Sequence, residues 1–176
     1  DENKTKDEIY TSLQKNFFVT PKKLDLAYQT AITQRELLKT NANSFSLYVS
    51  IPFCPTRCSY CSFVSHSIES AKKLIPDYIN KLCDEIKITS EIADKLNLKL
   101  DTVYFGGGTP TSLLAEELDQ IMNCVSNCFN LSQIREYTVE AGRADTITSD
   151  KLKVIKKNNA TRISINPQTM NDDVLR

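Results

Sequence analysis

The order of hydrophobic and polar residues predicts a helical start to the chain. Apolar residues recur at helical spacing from Ile9 to Phe17, behind a capping-box pattern that begins at Thr5. A threonine followed by Pro21 is typical of the start of a second helix. We expect these two helices to form a lead-in over residues 1–43.

From residue 44 onward, short apolar runs alternate with longer amphipathic stretches. The runs predict four strands, at 45–53, 102–105, 136–140 and 161–166. The stretches between them predict three helices, at 71–95, 113–129 and 149–157. Strand–helix repetition of this kind is typical of α/β proteins with a parallel sheet or barrel.

Composition is that of a soluble globular protein. The 176 residues carry 22 Lys and Arg against 22 Asp and Glu. This balance disfavours nucleic acid or an anionic membrane as the main partner, because such partners usually require a basic excess. No signal-peptide pattern opens the chain, and no run approaches the roughly 20 apolar residues of a membrane span. We therefore expect a cytoplasmic protein whose cysteines stay reduced.

Three of the six cysteines, Cys54, Cys58 and Cys61, fall within eight residues directly after the first predicted strand. In reduced proteins such clustering usually indicates metal binding or catalysis. Three thiolates at this spacing can each hold one iron of a 4Fe–4S cluster and leave the fourth iron without a protein ligand. A structural zinc site is the alternative, and it needs a fourth ligand, for which His66 is the nearest candidate.

The other three cysteines are predicted to be core residues. Cys83 shares a helical face with Ile79 and Ile86. Cys124 and Cys128 lie one turn apart on the apolar stripe of the next helix, with a metal role as the alternative.

Three of the four glycines, Gly106, Gly107 and Gly108, are consecutive at the end of the second predicted strand. Glycine permits turns with positive φ and lets a ligand approach the main chain closely. A plain strand-to-helix turn normally needs one glycine, so the run favours a ligand site. Neither G-x-G-x-x-G nor the P-loop pattern is present, which disfavours a nucleotide-phosphate loop.

Polar residues also follow the later predicted strands, at the ends where α/β barrels assemble ligand sites. Glu140 ends the third strand and Gln168 follows the fourth. Three arginines are possible anion contacts, namely Arg57, Arg143 and Arg162. The structural alternatives are a solvated or helix-capping carboxylate for Glu140 and a turn hydrogen bond for Gln168.

These motifs together resemble the radical S-adenosylmethionine (SAM) superfamily, in which an aromatic residue, here Tyr60, precedes the third cysteine. The string GGGTP resembles the oxygen-independent coproporphyrinogen III oxidase group, and VEAGR and SINPQTMND resemble its HemZ branch rather than HemW-type haem chaperones or HemN enzymes. Ala144 departs from the branch, where we expect proline. The resemblance covers about residues 45–176.

The resemblance implies that the three cysteines hold a 4Fe–4S cluster and that SAM binds beside it. The SAM contacts it implies are Tyr48, Tyr60, Gly107, Gly108, Thr109, Glu140 and Gln168. The implied fold is α/β: residues 44–176 would be the N-terminal portion of a partial (β/α)6 radical SAM TIM-like barrel, still incomplete, after the helical lead-in.

The activity that the resemblance implies is oxidative decarboxylation of coproporphyrinogen III propionates to vinyl groups, in anaerobic haem and porphyrin biosynthesis. Its partners would be a porphyrinogen substrate and a reducing electron donor such as flavodoxin or ferredoxin. The alternative is a haem-binding or haem-delivering relative of the chaperone type without this catalysis. Because an unclosed sheet leaves a free edge and a half-built site, we expect the 176-residue chain alone to be inactive.

Overall fold

The computed structural model describes residues 4–38, 42–63 and 65–175. By its contacts the chain divides into two compact units, residues 1–42 and 43–176. Residues 1–3 and 39–41 of the predicted lead-in lie outside the described residues. In the described ranges, no helix combines the length and apolar character that a membrane crossing requires.

The first unit is a pair of helices, α1 (Lys6–Phe17) and α2 (Pro21–Leu37). Thr5 and Glu8 form the predicted capping box, in which each residue's side chain accepts a hydrogen from the other's main-chain N–H. Between the helices, the Tyr10 hydroxyl donates to Asp25 at 2.9 Å, and the Tyr10 ring meets the Tyr28 ring edge-on. Both predicted helices are therefore present.

The second unit alternates strands and helices. In chain order its strands are β1 (Ser44–Ile51), β2 (Phe53–Cys54), β3 (His66–Ser67), β4 (Lys99–Gly107), β5 (Glu136–Glu140) and β6 (Arg162–Ser164). Its α-helices are α3 (Ile68–Ala71), α4 (Ile75–Lys95), α5 (Ala115–Cys128), α6 (Ser149–Lys157) and α7 (Asp172–Leu175). Short 3-10 turns follow β4 at Pro110–Ser112 and β5 at Ala144–Thr146.

The main sheet has the order β1-β4-β5-β6 with every neighbouring pair parallel, which confirms the α/β class with a parallel sheet. The predicted first strand, 45–53, is in fact divided. It breaks at Pro52, which has no N–H for the ladder, and β2 then pairs with β3 instead. The predicted helix 71–95 is also divided, into α3 and α4, with Pro76 in the first turn of α4.

The two faces of the sheet differ sharply. One face is apolar and forms the core with α4, α5 and α6; its strand residues include Val49, Val103, Phe105 and Val139. The opposite face is polar and aromatic and includes Tyr48, which is 59% exposed. Parallel sheets are usually covered on both faces by apolar packing. The open polar face is therefore the available surface for a ligand.

Lys151 of α6 ties together the turns that follow β4 and β5. Its ammonium donates to the carbonyl oxygens of Thr111 at 2.6 Å and Thr146 at 3.0 Å. The hydroxyls of these two threonines also hydrogen-bond each other at 2.6 Å. The Lys151 ammonium is partly removed from water, and this burial lowers its pKa.

Replacing Lys151 with methionine should destabilise the protein by about 1–3 kcal/mol, because two carbonyl oxygens lose their donor while the apolar stem is kept. The measurement is the free energy of unfolding in urea. Lys153→Met is the matched control, since Lys153 only pairs with Asp150 on the surface of the same helix, and such pairs contribute about 0–1 kcal/mol. Equal losses in the two variants would contradict the proposed tie.

Candidate functional site at the carboxyl ends of the strands

The glycine run lies directly against the segment that leads to the cysteine loop. The Gly108 N–H donates to the Ile51 carbonyl at 2.8 Å, and the Thr109 N–H donates to the Phe53 carbonyl at 2.8 Å. A Cβ at Gly108 would lie 2.9 Å from the Cys54 sulfur and 2.7 Å from the Phe53 oxygen. Glycine is thus required at this position because the chain before Cys54 passes within contact distance.

Gly107 is required for a different reason. Its φ of +106° lies in the region that only glycine adopts without strain. A Cβ there would also lie 2.8 Å from the Ser50 hydroxyl oxygen and 3.0 Å from the Ile51 nitrogen. Two of the three glycines therefore shape the junction between β4 and the cysteine loop.

The cysteine loop carries three free, partly exposed thiols, Cys54, Cys58 and Cys61. The Cys54 sulfur lies 3.4 Å from the Thr109 hydroxyl, and the Cys61 N–H donates to the Cys58 carbonyl at 3.1 Å. Among the described residues, no three cysteine, histidine or acidic side chains are close enough to hold a metal ion together. The three thiols therefore share one short stretch of chain but are not grouped around a single-ion site in this structure.

His66, the candidate fourth ligand of the zinc alternative, lies after the cysteine loop. It lies in β3, where its N–H donates to the Pro52 carbonyl at 2.8 Å. Its side chain borders a small groove of about 300 Å³ with Phe53, Leu74 and Tyr78. No group of metal-binding side chains within the described ranges includes it.

The remaining cysteines belong to the packing of the helices, as predicted. Cys83 is buried in the core, and Cys124 and Cys128 pack against it. The Cys124 thiol lies 3.4 Å from the Cys83 carbonyl oxygen. Burial raises the pKa of both the Cys124 and the Cys128 thiols, which favours their protonated form.

Two tyrosines and a glutamate form one unit on the open polar face. The Tyr48 and Tyr104 rings are stacked with centroids 5.8 Å apart, and the Tyr104 hydroxyl donates to the Glu140 carboxylate at 2.5 Å. A Cβ at Gly106 would lie 2.8 Å from the Tyr104 ring and 2.9 Å from the Tyr48 hydroxyl. The first glycine of the run thus makes room for this pair.

Sequence reasoning missed Tyr104. The signal that could have found it is the two-residue period of strands. Tyr104 lies two positions before Gly106, on the same face as the glycine, and β4 pairs it with Tyr48.

The hydrogen bond to Glu140 leads to a titration prediction. This bond, together with burial, raises the pKa of Tyr104 from 10 to about 12. Because the folded pKa is the higher one, the neutral hydroxyl adds stability below pH 10, and that stability is lost as pH rises through about 12. NMR of ring-labelled tyrosine should show this pKa, and Glu140→Gln should lower it. The Tyr78 signal is the control, since its pKa is raised mainly by burial. An unchanged Tyr104 pKa in Glu140→Gln would contradict the assignment.

Of the two candidate arginines outside the cysteine loop, Arg143 contacts the loop and Arg162 does not. Its guanidinium donates to the carboxylate of Asp145 at 3.0 and 2.7 Å and to the side-chain and main-chain oxygens of Thr56 at 2.9 and 3.2 Å. Arg162 instead pairs with Glu136 at 3.1 Å, at the opposite end of β5. Arg57 is exposed on the loop itself.

Tyr60 and Gln168 meet at the rim of this end of the sheet. The Tyr60 hydroxyl lies 3.4 Å from the Gln168 side-chain oxygen, and both residues border an open cavity of about 620 Å³. A hydrogen bond with Cys58 is the main cause that raises the pKa of Tyr60. Gln168 has a φ of +65°, so it also shapes the turn after β6.

All ten predicted site residues therefore lie at or near the carboxyl ends of the strands. The cysteine loop and glycine run are in direct contact, Tyr48 and Glu140 are joined through Tyr104, and Tyr60 and Gln168 are joined at the rim.

Comparison with known proteins agrees with this arrangement. Residues 48–176 match the Radical SAM superfamily. The chain is 37% identical to the oxygen-independent coproporphyrinogen-III oxidase-like protein HemZ of Bacillus subtilis, over 98% of this chain and 35% of that protein. It is also 37% identical to the heme chaperone HemW of Bacillus subtilis, over 74% of this chain and 33% of that protein.

Among solved structures, the chain resembles the coproporphyrinogen III oxidase HemN of Escherichia coli, which is described as a radical SAM enzyme. The TM-score is 0.62 at 25% sequence identity, over 82% of this chain and 32% of HemN. The chain spans about a third of the length of these relatives. The family match covers most of the chain, and the chain therefore belongs to the radical SAM superfamily.

Proposed function

We propose that this chain is the cluster-binding and SAM-binding part of an oxygen-independent coproporphyrinogen III dehydrogenase. The observation that carries the proposal is the contact between Gly108 and Cys54, which places the glycine run beside the first cysteine. In this proposal residues 1–43 are a helical lead-in and residues 44–176 are the first part of the catalytic barrel. The similarity to HemZ and HemN supports it.

The donor set suits a 4Fe–4S cluster, because three free thiols lie within eight residues, from the last residue of β2 into the stretch that follows it. In this proposal Cys54, Cys58 and Cys61 hold the cluster. When bound, the cluster supplies one electron for reductive cleavage of SAM. Cys54 ends β2, whereas Cys58 and Cys61 lie outside helices and strands, so these two thiols can move without breaking the β2–β3 pairing.

The glycine run and the polar face supply complementary contacts for SAM. The N–H groups of Gly108 and Thr109 are used by main-chain carbonyls. An ammonium group has only donors and needs acceptors, so the run would bind it through carbonyl oxygens. Glu140 uses one oxygen for Tyr104 and leaves the other for a ligand hydroxyl. Tyr60, which is 72% exposed, offers a ring for stacking on adenine.

The test uses the full-length protein, reconstituted anaerobically with iron and sulfide and given SAM, coproporphyrinogen III and an electron donor such as flavodoxin or ferredoxin. Mass spectrometry should detect conversion of propionates to vinyl groups together with 5′-deoxyadenosine. SAM cleavage without vinyl products would reject the dehydrogenase assignment while leaving the SAM site intact.

The similarity to HemW favours one second candidate, a haem-binding or haem-delivering protein of the chaperone type. Haem titration of the same preparation separates the two. Stable haem binding with no vinyl product would support the second candidate, and vinyl products would support the first.

We also propose that residues 1–176 alone do not turn over substrate. In the sheet order, β1 and β6 are both edges, so the polar face is not enclosed by further strands within the described residues. Comparing this chain with the full-length protein under identical reconstitution tests the proposal. Vinyl products from the isolated chain would overturn it.

A further inference from the structure

We propose that Arg143 is a positioning residue that fastens the cysteine loop to the end of β5 and keeps a positive charge beside Cys58. This inference rests on the proposed cluster site. It concerns how the loop is held and how a bound cluster would be tuned, and it assigns Arg143 no contact with substrate.

Hydrogen bonds within its own turn hold Arg143 in place. Two nitrogens of the guanidinium donate to the two oxygens of Asp145, at 3.0 and 2.7 Å, which fixes the plane of the group. The Arg143 carbonyl accepts from the Thr146 hydroxyl at 2.8 Å, and the Thr146 carbonyl in turn accepts from the Lys151 ammonium at 3.0 Å. The arginine is therefore held through both its side chain and its main chain.

The third nitrogen of the guanidinium extends to the cysteine loop, 87 residues away in the sequence. It donates to both oxygens of Thr56, at 2.9 and 3.2 Å, and lies 4.0 Å from the Cys58 sulfur. The Arg143 side chain is 24% exposed, so these contacts are partly shielded from water. The stretch that follows β2 is thus held at Thr56, midway between Cys54 and Cys58.

The contacts need an arginine in particular. Its planar group can bind a carboxylate with two nitrogens and still present a third, whereas the compact ammonium of lysine cannot span both partners. The arginine also remains charged at every relevant pH. A fixed positive charge near Cys58 favours the more negative, reduced form of any cluster on that thiolate. Arg143 should therefore raise the reduction potential of the cluster.

The first test needs no cluster. Hydrogen exchange of residues 55–63 is measured by mass spectrometry in the full-length apoprotein as wild type, Arg143→Lys, Arg143→Met and Asp145→Asn. We expect exchange at least about fivefold faster in all three variants, because each breaks the fastening. Arg162→Lys is the matched control, since Arg162 pairs with Glu136 at the other end of β5, and it should leave the loop unchanged. Unchanged exchange in all three Arg143 and Asp145 variants would overturn the positioning role.

The second test uses the reconstituted protein and a potential titration followed by electron paramagnetic resonance. Arg143→Met should lower the midpoint potential, whereas Asp145→Asn, which keeps the positive charge of Arg143 and removes the negative charge of its partner, should not lower it. A potential in Arg143→Met equal to that of wild type, at equal iron content, would overturn the charge role. Failure of the wild type to take up iron and sulfide would reject the proposed function instead, and the exchange experiment would still decide the fastening.

Discussion

Replacing Cys61 with alanine is expected to abolish assembly of the iron–sulfur cluster and, with it, reductive cleavage of SAM. In the proposed site these three thiols are the complete protein ligand set, and a 4Fe–4S cluster held by two thiolates would have two unprotected irons. Wild-type protein should hold about four irons and four sulfides per chain after anaerobic reconstitution. The variant should hold little of either and should release 5′-deoxyadenosine only at background level.

Cys128→Ala provides the matched control for this experiment. Cys128 is also a free, partly buried cysteine, but it lies on α5 and packs against the core. Its loss should cost some stability and leave iron, sulfide and SAM cleavage unchanged. Full iron content in Cys61→Ala would contradict the ligand assignment. About one zinc per chain in wild type, with no sulfide, would favour the structural zinc site.

Replacing Gly108 with alanine should be nearly as damaging, although it adds a single methyl group. The new carbon would lie 2.7 Å from the Phe53 oxygen and 2.9 Å from the Cys54 sulfur. The Phe53 main chain cannot simply move away, because its carbonyl accepts from Thr109 and the neighbouring Ile51 carbonyl accepts from Gly108 itself. We expect a loss of about 1–3 kcal/mol in stability and at least roughly tenfold weaker SAM binding to the reconstituted protein.

Gly142→Ala is the control within the same chain. A Cβ at Gly142 would meet only the side chain of Asn166, at 3.5 Å, which is an ordinary contact, and its φ is not in the left-handed region. This substitution should change stability by less than about 1 kcal/mol and should leave SAM affinity intact. Thermal unfolding and SAM titration measure both quantities. Similar losses at the two glycines would show that loss of glycine, and not the contact with Cys54, is responsible.

Several residues of the candidate site lie on the open polar face of the sheet. A polar face on a parallel sheet is unusual unless the sheet curves around a ligand or a barrel interior. Tyr48, Tyr104 and Glu140 share this face with the smaller hydroxyls of Ser46 and Thr102, which hydrogen-bond each other at 2.8 Å. We propose that the remainder of the protein encloses this face, which would shield SAM from water.

Much of the fold could be predicted from local patterns. Helix caps, apolar periodicity and strand-length runs depend on neighbouring residues, so the four main strands and their helices were identified. The predicted strand 45–53 and the predicted helix 71–95 are wrong in their continuity, because each is divided near a proline. Pro52 ends β1 and releases Phe53 and Cys54 to pair with His66 and Ser67, a long-range pairing that no local pattern specifies.

The chemical groups of the candidate site can be read from spacing along the chain: three clustered thiols, three consecutive glycines, and acidic or amide groups after strands. Which of these groups meet depends on the fold. The folded sheet joins Tyr104 to Glu140 and brings Arg143, but not Arg162, to the cysteine loop. A side chain's direction depends on strand register and on which strands are neighbours. Both are settled by packing the whole core and not by residues nearby in the sequence.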